Sequence, residues 1–183
     1  MSFGDDFDGI LVAAQAGAAW AAERLWRDLA PLVTGYLRMQ GATDPEDLTS
    51  ETFIGVFAGI RTFTGSESAL RSLVLTIAHR RLLDERRRRA RRPDPEPLDD
   101  RSEIAGGDVE EEALAALADA RLRSALDTLS PDQRTVLLLR IVGDLTVEQV
   151  AGVVGKRPGA VKALQRRGLA AVRKIYLLTG VPV

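Results

Sequence analysis

The stretch TVEQVAGVVGKRPGAVKALQRRGLAA, residues 146–171, holds two helix starts and a glycine stop within 26 residues. Thr146-Val147-Glu148-Gln149 has the form of a capping box, in which hydroxyl and amide side chains satisfy each other's free backbone amides and start a helix. Gly155 stops that helix, Lys156 and Arg157 turn the chain, and Pro158 suits the first position of the next one. A short helix, a tight glycine turn and a longer helix make a helix-turn-helix. Val150, Val153, Val161 and Leu164 can pack the two helices together. Lys162 and Arg166 fall at i, i+4 on the second, with Arg157, Arg167 and Arg173 around them. Such a helix can lie in a major groove, its N-terminal half at base edges and its flanking arginines on phosphates. A solvated basic helix in an ordinary bundle would carry similar charge, but the capping signals and glycine turn favour DNA.

Upstream, Ser130-Pro131-Asp132-Gln133 is a second capping box, opening a helix that Gly143 closes. A further helical segment is expected over 108–127. The C-terminal module therefore spans 108–183. Before it, residues 93–107 are rich in proline, glycine and acid and nearly devoid of apolar side chains, which reads as a flexible acidic linker.

Residues 1–92 read as a separate helical module. Ala22, Leu25, Leu29, Leu32, Val33, Tyr36 and Leu37 recur at helical spacing, with Pro31 expected to kink or divide the segment and Gly41 to end it. Asp44-Pro45-Glu46-Asp47 then starts a helix cleanly, with Asp44 as cap and Leu48, Phe53, Val56, Phe57 and Ile60 as its buried side. After a polar loop around Gly65, a long helix is expected from about Ser68 to Arg92. Leu70, Leu73, Val74 and Ile77 should form its core stripe. Ser72, Thr76, His79, Leu83 and Arg87 should form a separate, mainly polar one. The fold class is all-α: two small helical domains joined by a flexible acidic linker, the second a helix-turn-helix.

Charge is segregated along the chain although its net is −1. Residues 61–92 carry ten basic and three acidic side chains, and residues 121–183 eleven and four. Between them, residues 93–120 carry one basic and ten acidic. Two basic blocks suggest two surfaces for a polyanion, and the arginine-rich helix end attracts phosphate whatever its sequence. The chain has no cysteine and one histidine, His79, so thiolate and polyhistidine metal sites are excluded and no metal or cofactor is expected. Asp84 and Glu85, neighbours on a helix, point about 100° apart and make a poor metal pair. No apolar run reaches membrane-span length and no basic-then-apolar leader opens the sequence. A soluble, cytoplasmic protein without membrane insertion is expected.

Three motifs in order carry a resemblance. Asp44-Pro45-Glu46-Asp47-Leu48-Thr49-Ser50-Glu51-Thr52-Phe53 resembles the core-binding helix of the extracytoplasmic-function sigma factors of bacterial RNA polymerase. Leu75-Thr76-Ile77-Ala78-His79-Arg80-Arg81-Leu82-Leu83-Asp84, followed by arginines, is similar to that family's minus-10 recognition helix. Ser130-Pro131, Gln133-Arg134, Val136 to Arg140 and Gly159-Ala160-Val161-Lys162 are similar to its minus-35-reading domain. The resemblance implies a region 2-like domain at 1–92 and a region 4-like domain at 108–183. It also implies a non-enzymatic subunit that joins core RNA polymerase, selects promoter DNA and helps open the minus-10 duplex, held in check by an anti-sigma factor. By it, Asp44, Asp47, Leu48, Glu51 and Phe53 would meet core polymerase. Arg71, Ser72, Thr76, His79, Arg80, Leu83, Arg86 and Arg87 would meet the minus-10 element. Arg157, Pro158, Gly159, Lys162, Ala163, Arg166 and Arg167 would meet the minus-35 element.

The sequence departs from the family in lacking any aromatic residue over 64–92 on which a melted base could stack, leaving a pocket at the 62–68 loop as the alternative. Ala163 and Leu164 stand where the family usually has a hydroxyl and an arginine. A dimeric operator-binding regulator is the competing reading; it leaves the 44–57 helix and the first basic helix without a role.

Overall fold

Helices begin where short side chains can satisfy free backbone amides. A computed structural model of the chain describes residues 3–91 and 124–178. In it Asp44 accepts from the amide of Asp47 and opens a helix at Pro45. Ser130 and Thr146 each form the complete reciprocal capping box with Gln133 and Gln149. Each such cap is worth about 1 kcal/mol.

In chain order the elements are α1 (Phe7–Gln15), α2 (Ala19–Met39), α3 (Pro45–Gly59), α4 (Glu67–Arg91), α5 (Pro131–Ile141), α6 (Val147–Val154) and α7 (Pro158–Leu178), with residues 124–127 also helical. There is no strand among the described residues. The 93–107 linker and most of the expected 108–127 helix lie outside them. No described helix is long and apolar enough to cross a membrane.

Pro31 neither divides nor ends its segment: α2 is one helix through it. A mid-helix proline costs about 3 kcal/mol. Here both halves are anchored by burial, Leu25 and Leu29 before it and Val33, Tyr36 and Leu37 after it. Helices α1–α4 pack around these residues together with Leu48, Phe53, Val56, Leu70 and Val74.

The helix-turn-helix is built as its caps dictate. Gly155 ends α6 at φ 64°, a left-handed conformation that costs a residue with a Cβ. Val150, Val153, Val161 and Leu164 are buried where the two helices meet. At Gly168 a Cβ would come within 2.9 Å of Leu137, so α5 and α7 approach as closely as they do because no side chain intervenes. Arg134 donates to the Leu126 carbonyl and pairs with Asp127 at 2.8 Å, which ties the helical turn at 124–127 to α5.

The two modules share one continuous apolar cluster. Only part of the expected α4 core stripe is fully buried: Leu70 and Val74 are, Leu73 and Ile77 are half-buried, and Leu75, Ala78, His79 and Leu82 are buried instead. The reason is that α4 is covered twice. One side packs on α2 and α3, where Ile77 lies against Gly55. The other faces the C-terminal module, where Leu75 meets Gly143.

A buried polar network crosses the same junction. Gln40 donates to Thr135 at 3.0 Å and, more weakly, to the Tyr36 hydroxyl at 3.5 Å. Tyr36 then has its proton free to donate to His79 Nδ1, 2.8 Å away. Burial pushes the Tyr36 phenol up. Burial first, and then the Arg86 guanidinium, bring His79 down to about 4, with Asp132 opposing.

His79 is therefore neutral in the fold over a range where the unfolded chain binds a proton. Its contribution is fully present above about pH 6.5 and is lost as pH falls toward 4, on the order of 3 kcal/mol in total. In urea unfolding, the stability advantage of the native chain over His79→Gln should shrink steadily between pH 7 and pH 4.5. A constant difference across that range would mean that His79 titrates as a solvated histidine.

Candidate nucleic-acid interface

Helix α7 presents its cations to solvent as one face. Gly159, Lys162 and Arg166 follow one another at i, i+3, i+7 and are all exposed, as are Arg157, Pro158 and Arg167 at its edges. Ala163 is half-buried beside them. None of Arg157, Lys162, Arg166 and Arg167 is in a salt bridge among the described residues, whereas neighbouring Lys156 is tied to Asp132 at 3.0 Å. Val161, Leu164 and Gly168 on the opposite side hold the helix on α5 and α6. Free cations on a rigid support can follow a phosphate backbone without first breaking an ion pair.

On α4 the candidate residues divide into two groups. Ser72, Thr76, Arg80, Leu83 and Arg87 occupy an arc of about 80° at 3.6 residues per turn. In that group Arg80 and Arg87 are exposed and the others half-buried. Thr76 bonds back to the Ser72 carbonyl, and Arg87 pairs with Asp84 at 3.1 Å.

Arg71, His79 and Arg86 lie on the adjoining arc with Ser68 and Leu75, and all three are engaged within the protein. Arg71 pairs with Glu67 at 2.6 Å and with Asp144 of the other module at 3.4 Å. His79, expected on the polar readout stripe, is instead buried against Tyr36. Arg86 donates to the Gln40 carbonyl, satisfying an acceptor left free at the end of α2. Further along, Arg89 and Glu85 hold the Thr43 hydroxyl and amide. Part of the arginine run thus fastens the α2–α3 turn.

The five candidates on α3 also occupy different positions. Asp47 is exposed. Asp44 is engaged as the cap. Leu48 and Phe53 are core residues, the Phe53 ring packing tilted at 59° against Trp26 with centroids 4.7 Å apart. Glu51 is half-buried and pairs with Arg81 of α4 at 3.3 Å, a cross-helix partner invisible to spacing along one helix. The outward side of α3 also carries Ser50 and the strongly exposed Ile54, which the charge pattern does not single out.

Sequence reasoning missed the residues that join the modules: Gln40, Ser68, Thr135, Asp144 and Gln149. Their signal is weak, a glutamine before a helix-ending glycine and a threonine within an apolar run. Among the described residues no group of acids and histidine could hold a metal ion.

Comparison with known proteins matches residues 25–92 to sigma-70 region 2 and residues 119–172 to sigma-70 region 4. The sigma factor BldN of Streptomyces coelicolor is 34% identical over 167 residues, covering 88% of this chain, which spans 62% of that protein's length. RpoE of Cereibacter sphaeroides is 30% identical over 158 residues, covering 84% of this chain and 85% of its own. SigD of Mycobacterium tuberculosis is 25% identical over 185 residues, covering 97% and 87%. Among solved structures, CnrH in complex with the cytosolic domain of CnrY shares the fold, with a TM-score of 0.65 at 21% identity over 94% of this chain and 97% of that one. With two sigma-70 regions in order and a relative aligned along most of both chains, the protein belongs to the extracytoplasmic-function sigma factors of RNA polymerase.

Proposed function

We propose that the chain binds core RNA polymerase, selects promoters through two DNA elements and helps melt the downstream one. On this reading residues 1–92 serve polymerase and the minus-10 element, residues 93–107 connect, and residues 108–183 serve the minus-35 element. The observation that supports the reading is the cationic face of α7, without a salt bridge among the described residues, behind a helix-turn-helix whose first helix carries a complete capping box. A dimeric operator-binding protein could use that face too, but would leave a second basic helix unused.

The roles follow from what each side chain is free to do. Lys162 and Arg166 read base edges, while Arg157 and Arg167 hold phosphates. Ser72, Thr76 and Arg80 meet the minus-10 strand, and the outer arginines of α4 hold its backbone. Arg71, His79 and Arg86 act on that strand through the placement of α4. On α3, Asp47 is the acid available to polymerase; Leu48 and Phe53 hold the helix that presents it, and Glu51 is shared with Arg81. The protein works without chemistry of its own, in the cytoplasm alongside polymerase. An anti-sigma factor is its proposed restraint; CnrH, which shares the fold, was solved with the cytosolic domain of CnrY.

Run-off transcription with purified core polymerase tests the reading as a whole: the chain should direct transcripts from its own promoters, and none in any template would contradict it. Lys162→Ala and Arg166→Ala should each lose about 1–3 kcal/mol at a preferred minus-35 site and much less on scrambled duplex. Equal losses on both would reduce α7 to a phosphate binder. Asp47→Lys should weaken core-polymerase capture at least several-fold with helical content unchanged, and unaltered capture would remove α3 as the docking surface. Thr76→Ala combined with Arg80→Ala should lower permanganate reactivity of minus-10 thymines more than it lowers closed-complex binding. Full reactivity would take α4 out of strand opening.

A further inference from the structure

Helix α1 ends at Gln15, and the side chain of that last residue reaches a segment far along the chain. Its Nε2 donates to the Ile60 carbonyl at 3.2 Å and to the Phe63 carbonyl at 2.7 Å, 45 and 48 residues away. Both partners are acceptors, so only the amino end of the amide can face them, and its two hydrogens serve one carbonyl each. The post from which Gln15 reaches is firm, because Phe7, Ile10, Leu11 and Ala14 hold α1 in the core.

This clamp fixes the start of the loop that leads into α4. The 3-10 turn Ile60–Thr62 gives way to extended backbone at Phe63, with φ −69° and ψ 133°. Gly65 then takes φ 150°, a backbone that residues with a Cβ rarely adopt. A Cβ there would stand 3.0 Å from Ala69 and 3.3 Å from the Phe63 ring, so the ring folds closely over the glycine. Ser66 closes the loop by accepting from the Ala69 amide in the first turn of α4. Between these fixed ends Thr64, Gly65 and Ser66 are exposed. Their amides and the Thr64 hydroxyl have no hydrogen-bond partner among the described residues. Such groups can pair with the edge of an unstacked base.

We infer that Gln15 is a positioning residue for the minus-10 element: by holding the Ile60 and Phe63 carbonyls it keeps the 62–66 loop in one conformation, whose open polar groups select a base of the melted strand. Gln15 itself meets no DNA. The inference rests on the promoter reading for the use of the loop; the clamp is described independently of it. Rigidity is what makes such a loop selective. A fixed loop leaves a donor or acceptor unpaired against the wrong base, and that loss is the discrimination. A loop free to relax re-pairs with several bases and tells them apart less well. Losing the clamp therefore lowers discrimination rather than binding as such. The loop also supplies a reader in a chain that has no aromatic residue over 64–92 to stack on a melted base.

Gln15→Met keeps the length of the side chain and removes both hydrogen bonds. In the free protein, exchange of the Phe63 and Ala69 amides, which close the two ends of the loop, should quicken at least five-fold while the amides of α2 keep their rates. Unchanged exchange at both amides shows that Gln15 fixes nothing and overturns the inference.

With core polymerase, a template carrying the preferred minus-10 element competes in one tube against templates substituted at single positions of it. The ratio of transcripts is independent of how much protein is active. Gln15→Met should lower that ratio at least five-fold at one or more minus-10 positions and leave the ratios for minus-35 substitutions within two-fold of native. Gly65→Ala disturbs the same loop from within, should lower the ratio at the same positions, and decides the matter if Gln15→Met does not fold. Native ratios at minus-10 in either variant overturn the inference, as does an equal loss at both elements, which makes Gln15 a general support of the fold. No transcript from the native chain on any template overturns the promoter reading instead.

Discussion

Helix α4 is packed on two sides at once, and most of the molecule's arrangement follows from that. Against α2 and α3 it is the wall of an ordinary helical core. Against the other module it offers a narrower strip, in which the buried Leu75 alternates with polar and charged groups. Its arginines then serve two purposes. Arg86 and Arg89 close the end of α2 and the turn that follows, while Arg80 and Arg87 remain exposed. One helix thus supplies structure, a seat for the second module and a basic surface, and these uses compete for the same side chains.

The polar network at the junction is the most demanding part of this arrangement. Tyr36, Gln40, His79 and Thr135 are removed from water together, and each depends on the next for a hydrogen bond. Buried polar groups of this kind are costly when a partner is lost. They therefore specify how the modules meet more sharply than an apolar patch would. The contacts of Ser68 with Gln149 and of Arg71 with Asp144 lie nearer to water and contribute less energy.

Features encoded within a few residues were legible in the sequence. Both capping boxes, the Asp44 start, the Gly155 turn and the exposed face of Lys162 and Arg166 depend on local spacing, and the helix-turn-helix follows from them. Features that depend on a distant partner were not legible. Periodicity on α4 shows one core stripe and cannot reveal that a second module buries Leu75 and His79. The Glu51–Arg81 pair joins two helices, and Arg86 is claimed by a carbonyl 46 residues earlier in the chain. Pro31 carries a strong local signal that was overridden because the residues on both sides of it are fully committed to the core.

In the proposed function one chain carries two separate DNA-reading surfaces that are used together only with polymerase. A footprint on promoter DNA, with the free protein and with reconstituted holoenzyme compared on the same template, tests it most directly. Holoenzyme should protect two segments about 25 base pairs, or about 85 Å, apart, and the free protein should not protect both. A single symmetric footprint from the free protein, unchanged by core polymerase, would make the chain a dimeric operator-binding protein instead.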